Sequence, residues 1–167
     1  MTGWWVVAFV AQWVLVIALA IVVVALARQV GTLHLRLGPR GALEIDTEGP
    51  ALGEQLPELV ARGPGGSAAR LGGPGVPRLI LFSSPTCSIC REVEPGLPAA
   101  ARAAGMVPVV IQDADVERTL EIPGTPFVLA LDAVGVVRAK GTVNNLEQVE
   151  GLAETAWRRI EEEPWAS

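Results

Sequence analysis

The chain is poor in the residues that build metal centres and cross-linked frameworks. Its 167 residues include two cysteines, Cys87 and Cys90, and one histidine, His34. Two cysteines cannot form a multi-bridge disulfide framework, and alone they cannot supply a four-ligand zinc site. His34 stands far from both in sequence with no second histidine beside it. It reads as an interfacial or packing residue, and its position excludes a Cys–His hydrolase. No metal or other cofactor is called for. Basic charge is also scarce: 13 Lys and Arg against 18 Asp and Glu leave a net charge of −5. Phosphate binding needs clustered Lys and Arg, so no nucleic-acid partner is expected. No run of five like charges occurs, which leaves no charged tail.

Apolar residues make up 50% of the chain, and the excess is localised. Between Trp4 and Ala27 the one clearly polar side chain is Gln12. Roughly 24 residues at about 1.5 Å each reach about 36 Å, enough to cross a ~30 Å hydrocarbon layer with some tilt. Trp4 and Trp5 stand where an interfacial aromatic belt would lie. A buried core helix is rarely so long and so uniformly apolar. Ala25-Leu26-Ala27 imitates a signal-peptidase site, but the run is too long for a signal peptide and no Lys or Arg precedes it. The expected organisation is a transmembrane helix over 4–27, a juxtamembrane connector over 28–49 and a folded domain over 50–163. The lipid bilayer is thus the first expected partner. In the connector, Leu33, Leu35 and Leu37 alternate with polar residues and predict a short strand, broken by Gly38-Pro39.

The folded domain reads as α/β. Residues 50–78 are rich in Pro and Gly. Gly63-Pro64-Gly65-Gly66-Ser67 is either a turn between short strands at 59–62 and 68–71 or part of a flexible linker. Leu79–Phe82 is a continuous apolar run, as in a strand buried on both faces. A helix is expected from about Ser88, interrupted near Pro95 and Pro98 and stopped by Gly105. Strands follow at Val107–Ile111, Phe127–Leu131 and Val136–Lys140, with a short helix at 113–121 and a hairpin turn at 132–135. Leu146, Val149, Leu152, Ala153, Ala156 and Ile160 mark one face of a last helix, capped by Asn144 or Asn145. The fold class expected is a mixed sheet with helices on both faces, preceded by one transmembrane helix.

A strand that delivers Cys-x-x-Cys to a helix start has a chemical logic. The first sulfur meets unpaired backbone N–H groups and the positive end of the helix, which favour a thiolate. The second lies one turn along the same face, where it can attack a mixed disulfide. Cys87 is therefore the expected nucleophile and Cys90 the buried resolving thiol. Thr125-Pro126 opens a strand, where a proline marks an edge or special turn. With a cis bond, the Thr125 backbone could pair with an incoming peptide near Cys87.

These features resemble the thioredoxin superfamily. The strand Leu79–Phe82, Cys87-Ser88-Ile89-Cys90, Pro95 five residues after Cys90, and Thr125-Pro126 ahead of a strand carry the likeness. The resemblance implies a thioredoxin-like sheet, a redox-active Cys87–Cys90 pair, and a cis Pro126 facing it, with Thr125 and Pro126 binding substrate. More narrowly, the chain resembles the MauD-type proteins, accessory factors of methylamine dehydrogenase maturation. The segments Ala25-Leu26-Ala27-Arg28-Gln29-Val30-Gly31, Leu33-His34 and Arg138-Ala139-Lys140-Gly141-Thr142-Val143-Asn144 suggest it. Two departures stand out. Leu81 occupies the place of the buried acid that thioredoxins carry six residues before the first cysteine, and Thr-Cys-Ser-Ile-Cys replaces Trp-Cys-Gly-Pro-Cys. The stretch from Gln112 to Ile122 is also short for the family.

The function expected is a thiol–disulfide oxidoreductase, of the protein-disulfide reductase or isomerase type. It would act on cysteines of an exported client during maturation, with electrons from a membrane donor. For a MauD-like protein the implied client is the disulfide-rich small subunit of methylamine dehydrogenase. Two alternatives are weighed. A peroxiredoxin-like peroxidase wants a Ser or Thr three residues before its nucleophile, which Ser84 supplies, and a proline seven before, where Ile80 stands. A copper metallochaperone would use the two thiolates, but no third soft ligand accompanies them in the domain. For sidedness, Arg28, Arg36 and Arg40 follow the apolar run before the first acid, Glu44, and favour a cytoplasmic domain. Disulfides persist outside the membrane, which favours an extracytoplasmic one. The latter is the expectation, with the N-terminus inside.

Overall fold

The computed structural model describes residues 3–36 and 48–162, and side chains within 3–24 and 48–162. The chain divides into two units, Met1–Gly38 and Pro39–Ser167. In the first, helix α1 runs from Gly3 to Arg36. Its Gly3–Val24 part is long and apolar enough to cross a membrane, and no part of that window is buried by protein. A helix apolar all round has no face to turn toward a core, but it satisfies its own backbone hydrogen bonds and suits hydrocarbon. The short strand predicted around Leu33, Leu35 and Leu37 does not form, because Leu33 and Leu35 belong to α1. A strand needs a partner for its ladder, whereas adding a residue to an existing helix completes a bond locally. Leu37, Gly38-Pro39 and the side chains of His34, Arg28, Arg36 and Arg40 lie outside the described residues.

The second unit is built on a four-stranded sheet. Its strands are β3 (Arg78–Phe82), β4 (Val107–Ile111), β5 (Phe127–Leu131) and β6 (Val137–Thr142), in the order β4-β3-β5-β6. β4 is parallel to β3, while β5 and β6 run antiparallel to their neighbours. Every residue of β3 and β5 is buried. Alternation sends their side chains to two separate cores. Leu79, Leu81, Val128 and Ala130 pack with Val93, Leu97, Val149 and Leu152 on one face. Ile80, Phe82, Phe127 and Leu129 pack with Leu56, Ala61 and Leu71 on the other. Burying each large apolar side chain contributes about 1.5–3 kcal/mol. A one-residue slip would exchange the two sets, so the register is strongly specified.

The first face is covered by α2 (Ser88–Val93), α3 (Leu97–Ala103) and α5 (Leu146–Glu162). Pro95 sits in a 3-10 turn, Glu94–Gly96, that separates α2 from α3. Pro98 interrupts nothing: it lies in the first turn of α3, where its missing N–H is not needed. A side chain at Gly96 would strike Leu146 of α5. Asn145 caps α5, accepting from the Gln148 N–H at 2.9 Å, while Gln148 accepts in return from the Asn144 N–H at 2.6 Å.

The second face is covered by an N-terminal hairpin and by α4 (Ala114–Thr119). The hairpin pairs β1 (Leu59–Arg62) with β2 (Ala68–Leu71), Leu59 opposite Leu71 and Arg62 opposite Ala68, so the Pro/Gly-rich stretch is a turn rather than a linker. Gly65 and Gly66 turn the chain with φ of 67° and 79°, where a side chain would be strained. At the far end of β1, Arg62 holds Asp113 through its backbone N–H at 3.0 Å and its guanidinium at 3.1 Å. That guanidinium and N–H keep the Asp113 carboxyl well below the usual range. Asp113 in turn caps α4 by accepting from the Asp115 N–H. β4 is one edge of the sheet and contains Pro108, opposite Leu79 of β3.

β6 is shifted along the chain from the predicted 136–140. Asp132 Oδ1 accepts from the N–H groups of both Val134 and Val136, holding Val136 in the turn. At the other end the Val143 N–H reaches the Pro126 carbonyl. Lys140 is fully buried in β6 and donates from Nζ to the Glu48 carbonyl at 2.9 Å.

Candidate active site

β3 ends at Phe82, and the next four residues aim the cysteines. The Ser83 N–H donates to Ile111, holding the strand end against β4. The chain then turns, with the Cys87 N–H donating to the Ser84 carbonyl at 3.1 Å and the Ser84 and Thr86 hydroxyls 3.0 Å apart. Cys87 is thereby left in extended backbone as the N-cap of α2. Its Sγ accepts from the Cys90 N–H at 3.1 Å. A sulfur in this position is one that a helix start stabilises as a thiolate once reduced.

Cys87 and Cys90 are joined as a disulfide with Cα atoms 5.3 Å apart. Their surroundings differ. Cys87 is half-buried, and Cys90 is 1% exposed. Of the two cysteines, Cys87 is the one that keeps surface exposed beside the bond.

Thr125-Pro126 is cis. The Thr125 carbonyl oxygen lies 3.8 Å from Cys87 Sγ. Thr125 is half-buried, Pro126 is buried at the mouth of β5, and Gly124 beside them is exposed with open space where a side chain would be. The four residues singled out in the sequence thus come together, across a separation of 38 residues between Cys87 and Thr125. Among the described residues, no group of three or more His, Cys, Asp or Glu could hold a metal ion.

Two polar residues beside the pair escape a reading of the sequence. Ser83, 1% exposed, donates Oγ to Glu94 Oε2 at 3.1 Å. Glu94 caps the C-terminus of α2 and its N–H donates to the Cys90 carbonyl. The available signal was the spacing of four from Cys90 to Glu94, which puts both on one helical face. Farther off, Glu117 of α4 has its carboxyl raised, first by burial and then by the charge of Asp113.

No protein-family model matches the chain. Curated relatives do. Methylamine utilization protein MauD of Methylorubrum extorquens is 32% identical, over 85% of this chain and 82% of that one. MauD of Paracoccus versutus is 30% identical over 85% and 84%, and MauD of Paracoccus denitrificans 29% over 92% and 90%. Among solved structures, a putative thiol:disulfide interchange protein DsbE from Chlorobium tepidum superposes with a TM-score of 0.53 at 17% identity. It covers 65% of this chain and 97% of that one. That likeness shows the fold, a thioredoxin-like α/β sheet.

Proposed function

The chain belongs to the MauD family, and from that premise we propose that it is a thioredoxin-like thiol–disulfide oxidoreductase that works on the cysteines of an exported client, held to the membrane by its N-terminal helix. The proposed organisation is a span over 4–27, a connector over 28–49 and a redox domain over 50–163. The relatives are named for methylamine utilization, so the proposed client is a disulfide-containing protein of that process. The domain faces outward, where client disulfides persist.

The roles follow from the asymmetry of the two sulfurs, which is the observation that carries this reading. The Cys87 thiolate attacks a client disulfide, forming a Cys87–client bond and releasing one client sulfur as a thiolate. Cys90 then attacks Cys87 Sγ. The Cys87–Cys90 bond closes, the second client sulfur leaves, and two electrons have passed to the client. A membrane donor supplies two electrons to reopen the pair. Thr125 and Pro126, against Cys87, form the surface on which the client backbone rests.

Trapping tests the roles. Cys90→Ser should accumulate a mixed disulfide through Cys87, while Cys87→Ser should trap little. Equal trapping would overturn the assignment. Insulin reduction by the wild-type full chain should require both cysteines. Alkaline phosphatase fused after Ser167 should be active for an outward domain. An inactive phosphatase fusion together with a fluorescent cytoplasmic reporter at the same site would reverse the orientation.

A further inference from the structure

Closing the Cys87–Cys90 bond requires Cys90 to give up a proton, and Cys90 is buried. Leu81, where thioredoxins carry an acid, is fully buried and cannot take it. Glu94 stands one turn after Cys90, with its N–H on the Cys90 carbonyl. Side chains four apart on a helix have Cβ atoms about 6 Å apart, and they lean toward the N-terminus. Helical spacing thus puts Glu94 on the face of α2 that carries Cys90. Buried Ser83 fixes the Glu94 carboxylate through Oε2. On its outer side is a solvent-open hollow of about 330 Å³ lined by Arg91, Glu94 and Pro95. The other nearby acids are poorly placed. Glu92 of α2 is exposed, and both oxygens of Asp113 are engaged by Arg62 and the start of α4.

We propose that Glu94, positioned by Ser83, accepts the Cys90 proton during resolution and passes it out through this hollow. The proposal rests on the oxidoreductase reading above and names the group that the reaction needs beside Cys90. In the step, the S–H proton moves to the Glu94 carboxylate. The freed electron pair on Cys90 Sγ attacks Cys87 Sγ, the Cys87–Cys90 bond forms, and the Cys87–client bond breaks with its electrons leaving on the client sulfur. Glu94 then returns the proton to solvent or to that thiolate.

The test uses the reduced full chain in detergent with the aromatic disulfide dithiobis(nitrobenzoate). Cys87 releases one thionitrobenzoate as it attacks, and Cys90 then displaces the second. Thionitrobenzoate leaves without needing a proton, so the second rate reads Cys90. Glu94→Gln should lower the ratio of second to first rate by roughly tenfold or more, with a single-adduct species accumulating by mass spectrometry. Ser83→Ala should shift the ratio the same way by less, Glu94→Asp should recover part of it, and formate should partly rescue Glu94→Ala. An unchanged ratio in Glu94→Gln, or equal slowing of both releases, would overturn the proposal. A wild-type protein that releases no thionitrobenzoate would fail at the first step, removing the oxidoreductase reading and this inference with it.

Discussion

From Gly3 to Val24, α1 leaves every side chain exposed, whereas β3 and β5 bury all of theirs. Both regions are dominated by apolar residues, interrupted by Gln12 in the helix and by Arg78 at the start of β3. The helix spans 22 residues here and the strands 5 each. A helix closes its hydrogen bonds within itself, so its surroundings can be wholly hydrocarbon. A strand depends on neighbours for those bonds, so its apolar faces are covered by other parts of the same chain. Similar apolarity therefore suits two surroundings, lipid or protein, and length separates them.

The largest effect should come from cutting a cavity in the protein-covered region. Leu129→Ala removes a fully buried side chain from the hairpin-covered core and should cost about 2–5 kcal/mol in denaturant unfolding of the folded domain. Val16→Ala in α1 should leave that unfolding unchanged. A similar loss from both would erase the distinction. Next, Val16→Arg should cost about 2.5–3.5 kcal/mol of membrane insertion. It should move protein from the membrane fraction to the soluble fraction while thiol labelling of Cys87 is retained. An unshifted membrane fraction would mean that α1 is not the anchor. Smaller still, Asn145→Ala should cost about 1 kcal/mol by removing the cap of α5, readable as a lowered unfolding midpoint.

The smallest expected effects are those of pH. The Asp113 carboxyl is lowered by Arg62, so its contribution is present above the unfolded carboxyl value of about 3.9 and is lost as pH falls toward the folded one. Asp113→Asn should flatten the acid limb of a stability-versus-pH curve. Glu117 has the opposite sign. Its raised carboxyl favours the protonated form in the folded state, so it weakens stability as pH rises past the unfolded value. Glu117→Gln should raise the unfolding midpoint at neutral pH. A neutral-pH loss on that substitution would mean that its charge is supported by contacts.

Much of the fold was legible because the sheet buries both faces of β3 and β5, which leaves unbroken apolar runs, and because Pro95, Gly105 and Asn145 punctuate the helices locally. The cysteine pair was legible for the same reason: strand, turn and helix start are all encoded within a dozen residues. The hairpin at 59–71 stayed undecided against a linker because turn glycines and linker glycines look alike until a register forms. Leu33 and Leu35 misled, since two alternations cannot outweigh a helix already under way. Arg62 with Asp113, and Ser83 with Glu94, were invisible as pairs. Their separations of 51 and 11 residues are bridged only after the hairpin docks and α2 packs on β3.

Pro108 has a consequence for how molecules of this protein coexist. An outer strand shows a row of unpaired amides and carbonyls, and a neighbour's strand can add to it, which is how soluble domains begin to aggregate. β4 is such a strand, and Pro108 removes one of the amides a neighbouring chain would need. The Gln112 N–H, donated to the Arg62 carbonyl, withdraws another just beyond the strand end. On the membrane tether proposed above, copies would share a thin layer at high local concentration, where an interrupted edge would oppose strand-to-strand addition. Replacing Pro108 with valine should restore the missing amide and raise the fraction recovered as high-mass aggregate when the detergent-solubilised chain is concentrated.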